Sequence, residues 1–522
     1  MPAASTASLD ARSNRQGRLA PVASLSLVNG DRAAAGRGGV AASAAPAANE
    51  ALTADIEHRS LCRQLMSANA GKGATPAARA GAGASLGRWL AQAGRLGCDL
   101  PEHPEDLGDW MKQGVERTGE RYQAYLARRK AGAPREYFGN RAHALYFLRT
   151  VAPTKLVDGA WLYGLLAQFR NPRYSDLVHT YVEELGNGQP DKNHVLLFRQ
   201  LLDAHGIDDW QEQQDAHFEQ GAIQLALATC TEEFLPEVIG FNLGYEQLPL
   251  HLLITAYELN ELGIDPYYFT LHVTVDNAAS GHASRAVKAA TQAIPALGDA
   301  RAFWQRVRNG YAMNDLGVGT VSAIESFDLD AEFHRVLARR SPEGKVAHSD
   351  YCRLEGRTVN QWLAEPDGIA GFVEALERKG WLQRGKDPAE SRFWQLLTGE
   401  HGEMFGVFGE YELQVIQDWI RGDAATDGAA VQPEAPLALP RRSRSFRQTR
   451  LIEEREGGLA VAHAAGAEAS LDPDVAVLED QLRDGDPEAS LEMVLKLMGP
   501  AHHWSVAGLV ATRFFCRSVL HA

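Results

Sequence analysis

The sequence predicts an all-α protein. From Leu86 onward, apolar residues recur in clusters at helical spacing, and Gly and Pro breaks separate those clusters. Neither a strong β alternation nor a βαβ pattern occurs. The 522 residues suggest two or three domains, and 45% hydrophobic content suffices for a real core. A net charge of −15 argues against a large nucleic-acid-binding face. The five cysteines are scattered and form no Cys-x-x-Cys pair, which fits a reduced, intracellular, cytoplasmic chain without disulfides or a zinc ribbon. No run of about 18 apolar residues predicts a membrane span.

Residues 1–85 are dominated by Ala, Gly, Ser and Arg and have little to bury, so a disordered tail is expected, with a short helical patch near 49–68. The tail superficially resembles a transit peptide, but an Ala/Gly-rich tail explains the same composition. A helical domain is expected over 86–327. Leu145, Phe147 and Leu148 belong to one helix. Leu156, Trp161, Leu162, Leu165 and Leu166 belong to a second, opened after Pro153, and residues 174–184 form a third. Gly186-Asn187-Gly188-Gln189-Pro190 breaks that helix, and Asp191 can cap the next, which carries His194, Leu197, Phe198 and Leu201. A long apolar helix follows over 234–262, kinked at Pro249. A second helical region is expected over 328–422. A Pro-containing linker over 423–473 carries a basic run from Arg441 to Arg450, read as solvated, and short helices end the chain over 474–522. Ordinary core packing is the first expectation for the Trp and Phe of these last regions, with a pocket cover or a homodimer face as other roles.

The stretch Tyr267 to Ala283 concentrates the chemistry. His272 and Asp276 are four residues apart, hence about 40° apart on one helix face. They could grip a metal ion or form a surface ion pair. Glu184 and His194 flank the Gly/Pro break. Glu246 lies among Phe241, Leu243, Tyr245, Leu248 and Leu250, where an unpaired buried carboxylate would be costly; a wet helix face is the alternative. Glu184, His194, Glu246, His272, Asp276 and His282 together suit two iron ions, or manganese, and Asp158 could add a fourth, neutralising carboxylate. The Glu-x-x-His pairs of the usual di-iron bundle are absent from the sequence.

This pattern resembles the haem-oxygenase-like di-iron oxidases and oxygenases, the iron-containing redox enzymes. The resemblance rests on Glu184 and His194 around one break, on Glu246 in Tyr245-Glu246-Gln247-Leu248-Pro249, and on His272-x-x-x-Asp276 followed by His282. It covers roughly residues 137–300. It implies a haem-oxygenase-like helical bundle, two iron ions, O2 and a small-molecule substrate as reaction partners, and oxidation by N-oxygenation, C–C cleavage or desaturation. One departure stands out. The family's commonest form places the last His three residues after the Asp, where this chain has Ala279. His282 comes six residues on, about 120° away on an ideal helix, so a break at Ser280-Gly281 must bring it round. Glu183 could replace Glu184, and Glu237 could replace Glu246. Trp161, Tyr163, Phe241, Tyr245 and Phe269 are candidates for a pocket wall. Competing readings are a haem-binding protein on the same fold, a thiaminase-like hydrolase using Cys230, and a non-catalytic helical scaffold. His179, His205, His217 and His251 read as structural, and His401, His502 and His503 have no assigned role.

Overall fold

The computed structural model describes residues 57–67, 74–247, 249–275, 281–345, 348, 351–365, 368–399, 402–422 and 472–520. These are almost wholly helical. The only strands among them are a short antiparallel pair, Arg353–Leu354 with Arg357–Thr358. Most of the linker expected over 423–473, its basic run included, lies outside the described residues. Among the described residues, no helix is long and apolar enough to cross a membrane.

The expectation of a disordered tail up to residue 85 needs correction where the structure describes it. Helices α1 (His58–Ser67) and α2 (Pro76–Ala93) are both packed, burying Leu61, Leu65, Ala78, Ala82, Leu86 and Trp89. The stretch that looked poor in core material contributes its Ala, Leu and Trp side chains to the core that also holds residues of α7. Thr75 caps α2 by accepting from Ala78 N–H. Helix α3 spans Leu107–Lys130 and α4 spans Arg141–Lys155.

Pro153 does not open a new helix but sits in the last turn of α4. Gly159 then takes φ +79, a left-handed conformation, and a 3-10 stretch runs from Ala160 to Gln168 in place of the expected α-helix. Next come α5 (Ser175–Glu184), α6 (His194–Asp203) and α7 (Glu219–Thr229). Asn193, rather than Asp191, caps α6, its Oδ1 accepting from Leu196 N–H at 2.9 Å. The long apolar stretch is two helices, α8 (Leu235–Tyr245) and α9 (Leu250–Glu261), because Pro249 cannot continue the first. Helices α10 (Tyr267–Val275), α11 (His282–Ala293) and α12 (Ala300–Ala312) follow. Gly240 and Gly310 let α8 and α12 touch backbone to backbone: a Cβ at Gly310 would lie 2.2 Å from Glu237 O.

The second helical region contains α13 (Thr320–Glu325), α14 (Leu329–Gly344), α15 (Val359–Ala364), α16 (Gly368–Arg378), α17 (Arg392–Thr398) and α18 (Glu410–Arg421). Its Phe333, Phe372, Tyr411 and Trp419 share one core with Phe147 of α4, Phe198 of α6 and Phe269 of α10. A buried ionic network spans the junction. Arg149 and Arg335 both donate to Asp209, at 2.8 and 2.7 Å, while Tyr411 O–H donates to Glu332 at 2.5 Å. The C-terminal helices α19 (Pro473–Asp484), α20 (Pro487–Leu497) and α21 (Val506–Phe515) join a different core, with α2, α7, α8 and α12. The two cores meet beside the candidate site: Leu156 belongs to one and Val157 to the other.

Candidate metal centre

Six of the seven sequence-predicted ligands converge. Asp158, Glu184, His194 and His272 are all buried, with one potential ligand atom from each lying within 4.8 Å of the others. Glu184, Glu246 and His282 form a second buried group within the same limit. Glu184 belongs to both and turns a different oxygen to each. Its Oε2 lies 2.5 Å from His194 Nδ1, and its Oε1 lies 3.2 Å from His282 Nδ1. The seventh residue, Asp276, lies outside the described residues.

Local structure explains each placement. Glu184 ends α5 and His194 begins α6, so the hairpin between them points both side chains inward. Asp158 is brought up by the left-handed turn at Gly159. A Cβ there would meet Glu184 Cβ at 2.9 Å, so glycine lets the two carboxylates approach. Glu246 is the C-cap of α8 and is buried, which removes the wet-face reading. His282 is not on the helix of His272. Helix α10 ends at Val275 and α11 starts at His282 after an extended Gly281, so the 120° offset of a continuous helix does not apply. His282 Nδ1 reaches Glu246 Oε2 at 3.0 Å.

Supporting hydrogen bonds orient the imidazoles. His272 Nδ1 donates to Tyr268 O at 2.8 Å, which turns Nε2 toward Asp158 Oδ2, 3.4 Å away. His282 Nε2 lies 2.9 Å from Glu183 Oε2, leaving Nδ1 facing Glu184 and Glu246. Glu183 therefore lies on the other side of the His282 ring from Glu184 and Glu246. It also pairs with Arg285. Glu237 pairs with Arg306 at 2.7 Å in the first turn of α8, away from both groups.

Burial opposes ionisation of Glu184, but the imidazoles of His194 and His282 outweigh it and hold its carboxyl well below the usual carboxylate range. Burial also opposes ionisation of Asp158, and Lys155 and His272 together reverse its effect. Tyr268 O–H donates to Asp158 Oδ2 at 2.5 Å. Lys155 Nζ lies 3.7 Å from that same oxygen and 3.4 Å from the Tyr245 phenolic oxygen, to which it donates. Burial, with the charge of Asp158, pushes both phenols far above their ordinary pKa, so they remain protonated donors.

Two buried atoms are suited to a bound cation. Asp158 Oδ1 has no hydrogen-bond partner among the described residues. His194 Nδ1 approaches Glu184 Oε2 to 2.5 Å without hydrogen-bond geometry. Such orphaned buried lone pairs are costly unless something positive collects them. Carboxylate oxygens and imidazole nitrogens are the donor set that iron or manganese takes. The residues present thus fit a metal.

The expected wall is divided. Trp161, Phe241 and Tyr245 stack together, with Trp161 and Tyr245 ring centroids 4.4 Å apart. Tyr163 instead donates to Leu495 O in the C-terminal region, and Phe269 packs against Phe147 and Tyr268 in the other core. Cys230 is buried and its thiol donates to Arg79 O. Burial raises its pKa to about 11, the opposite of an activated nucleophile.

Sequence reasoning missed His503. It is buried, and Asn193 Nδ2 donates to its Nδ1 at 3.1 Å across 310 residues of chain. No motif marks it.

No curated protein and no solved structure matches the chain. Residues 145–315, the span that holds all six described candidate ligands, match the family model of the iron-containing redox enzymes.

Proposed function

We propose that the chain is a non-haem di-iron oxidase or oxygenase that uses O2 to oxidise a small organic substrate. One observation carries the reading: Glu184 offers one oxygen to each of two buried ligand groups. Asp158, His194, His272 and one Glu184 oxygen would hold one ion. Glu246, His282 and the other Glu184 oxygen would hold its neighbour, and Asp276 is proposed as a further ligand. Bound iron would supply the electrons and the open coordination positions that O2 reduction needs.

The chain's own residues do the remaining work. The Tyr268 carbonyl and the Glu183 carboxylate set the tautomers of His272 and His282, so each presents a lone pair inward. Tyr268 donates to Asp158 and fixes its orientation. Tyr245, held by Lys155 and Gln224, completes a polar rim on the Asp158 side. The Trp161, Phe241 and Tyr245 rings keep water from that side of the centre. N-oxygenation, C–C cleavage and desaturation are the reaction types proposed. A haem would use one proximal imidazole and leave the three carboxylates idle. The state of Cys230 argues against a thiaminase-like hydrolase.

Anaerobic Fe2+ loading followed by a metal count tests the proposal. The expected result is two ions per chain, with a transient absorbing species on admitting O2. Glu246→Ala should keep only the ion on the Asp158 side. Unchanged iron content in that variant would sink the reading.

A further inference from the structure

The backbone between Glu184 and His194 makes an uncommon turn, for which the local Gly-Asn-Gly sequence is suited but which it does not hold by itself. Gly186, Asn187 and Gly188 take φ values of +64, +53 and +76, three successive left-handed residues. Asn187 is one of only two non-glycine residues with positive φ among the described residues. The glycines adopt this conformation freely, and Asn187 does so at a modest cost that its surroundings offset. Within the hairpin, the Leu185–Asn193 bridge, Gly188 N–H donating to Leu185 O at 3.1 Å, Gln189 N–H donating to Gly186 O at 2.9 Å and Asn193 N–H donating to Gln189 O at 3.1 Å supply part of the hold.

The C-terminal helices supply the rest. Arg513 Nη1 donates to Gly188 O at 3.1 Å. A Cβ at Gly188 would come within 2.5 Å of Leu509 O, so α21 lies directly on the hairpin. Tyr181 O–H donates to Met498 O at 2.5 Å, three residues before Glu184. The Arg199 guanidinium of α6 stacks 3.8 Å over Trp504. At the centre is Asn193, the residue before His194. Its Oδ1 accepts from Leu196 N–H, which fixes the amide orientation. Its Nδ2 then faces the C-terminal segment, where it donates to His503 Nδ1 at 3.1 Å and His503 O at 3.2 Å, and it also reaches Leu185 O across the hairpin at 3.3 Å. The His503 ring is thus an acceptor at Nδ1.

We propose that residues 472–520 act as a positioning element for the metal centre, with His503 holding His194 in place through Asn193. This segment lies beyond the 145–315 span matched by the family. The inference rests on the di-iron reading above. His503 touches neither ion; it orients the turn from which His194 projects. The group containing His194 depends on it, whereas Glu246 and His282 hang from α8 and α11, which the segment does not hold in this way. Partners at this remove from a metal typically change affinity by about 10–100-fold.

The test is an anaerobic Fe2+ titration against a competing chelator, with thermal unfolding recorded in parallel, on the full chain. In His503→Ala, one of the two ions should bind about 10–100-fold more weakly while the other keeps its affinity. His503→Asn places an amide oxygen near the former Nδ1 and should restore binding to within about threefold of wild type; a merely structural role would not produce this rescue. If His503→Ala does not fold, Arg513→Ala, which frees Gly188 O, should show a smaller loss at the same ion. Wild-type affinity for both ions in the folded variants overturns the proposal, as does equal weakening of both ions without rescue by Asn. A wild-type chain that takes up no iron overturns the di-iron reading beneath it.

Discussion

Replacing Gly159 by Ala tests how the centre is assembled without removing any ligand. Gly159 has φ +79, where an L-residue costs about 1–2 kcal/mol. The new Cβ would lie 2.9 Å from Glu184 Cβ and 3.0 Å from its Cγ. Ordinary contacts begin at 3.4 Å, so one of the two backbones must yield by about 0.5 Å. Overpacking of this kind adds about 1–3 kcal/mol. The expected total is about 2–5 kcal/mol of lost stability, read as a lower midpoint in urea at constant slope. Because Glu184 faces both ligand groups, its displacement should weaken both ions together, unlike Glu246→Ala. Gly119→Ala is the control. It lies within α3 with nothing within 4 Å of the added methyl, and should gain up to about 1 kcal/mol with metal binding unchanged. If Gly159→Ala retains two ions at wild-type affinity and loses under about 0.5 kcal/mol, the close approach of Asp158 and Glu184 is not what builds the site.

Glu183 and Cys230 provide two further checks. Burial alone would raise the Glu183 pKa, but hydrogen bonds from His282 and Arg285 outweigh it and hold the carboxyl down at about 2. A depressed folded-state pKa stabilises above the unfolded value and is lost as pH falls, so metal-free wild type should lose stability between about pH 4.5 and 2. Glu183→Gln should flatten that part of the profile and cost about 1 kcal/mol at neutral pH, discounted for partial exposure; an unchanged acid limb would refute the pairing. With its thiol raised to about 11, Cys230 should resist disulfide-exchange reagents at pH 8 in the folded chain, and Cys230→Ser should retain turnover. Rapid labelling of Cys230, or loss of activity in the variant, would revive the hydrolase reading.

The sequence by itself determined the helical class and singled out most of the candidate ligands, because helix breaks and buried-type carboxylates are local signals. Glu184 and His194 could be read from one Gly/Pro interruption between two apolar helices. Glu246 could be read from a charge in apolar company. Adjacent alternatives could not be separated locally. Glu183 and Glu184 differ by one position at a helix end, and only the packing of α5 against α11 turned the first to Arg285 and the second inward. Whether Asp158 joined the site hung on a single backbone angle at Gly159, and His282 on the separation of α10 from α11. The tertiary structure alone placed the C-terminal helices against the hairpin between Glu184 and His194. Their contacts with that hairpin, Asn193 to His503 and Arg513 to Gly188 among them, join residues more than 300 positions apart, and no periodicity or motif encodes so distant a contact.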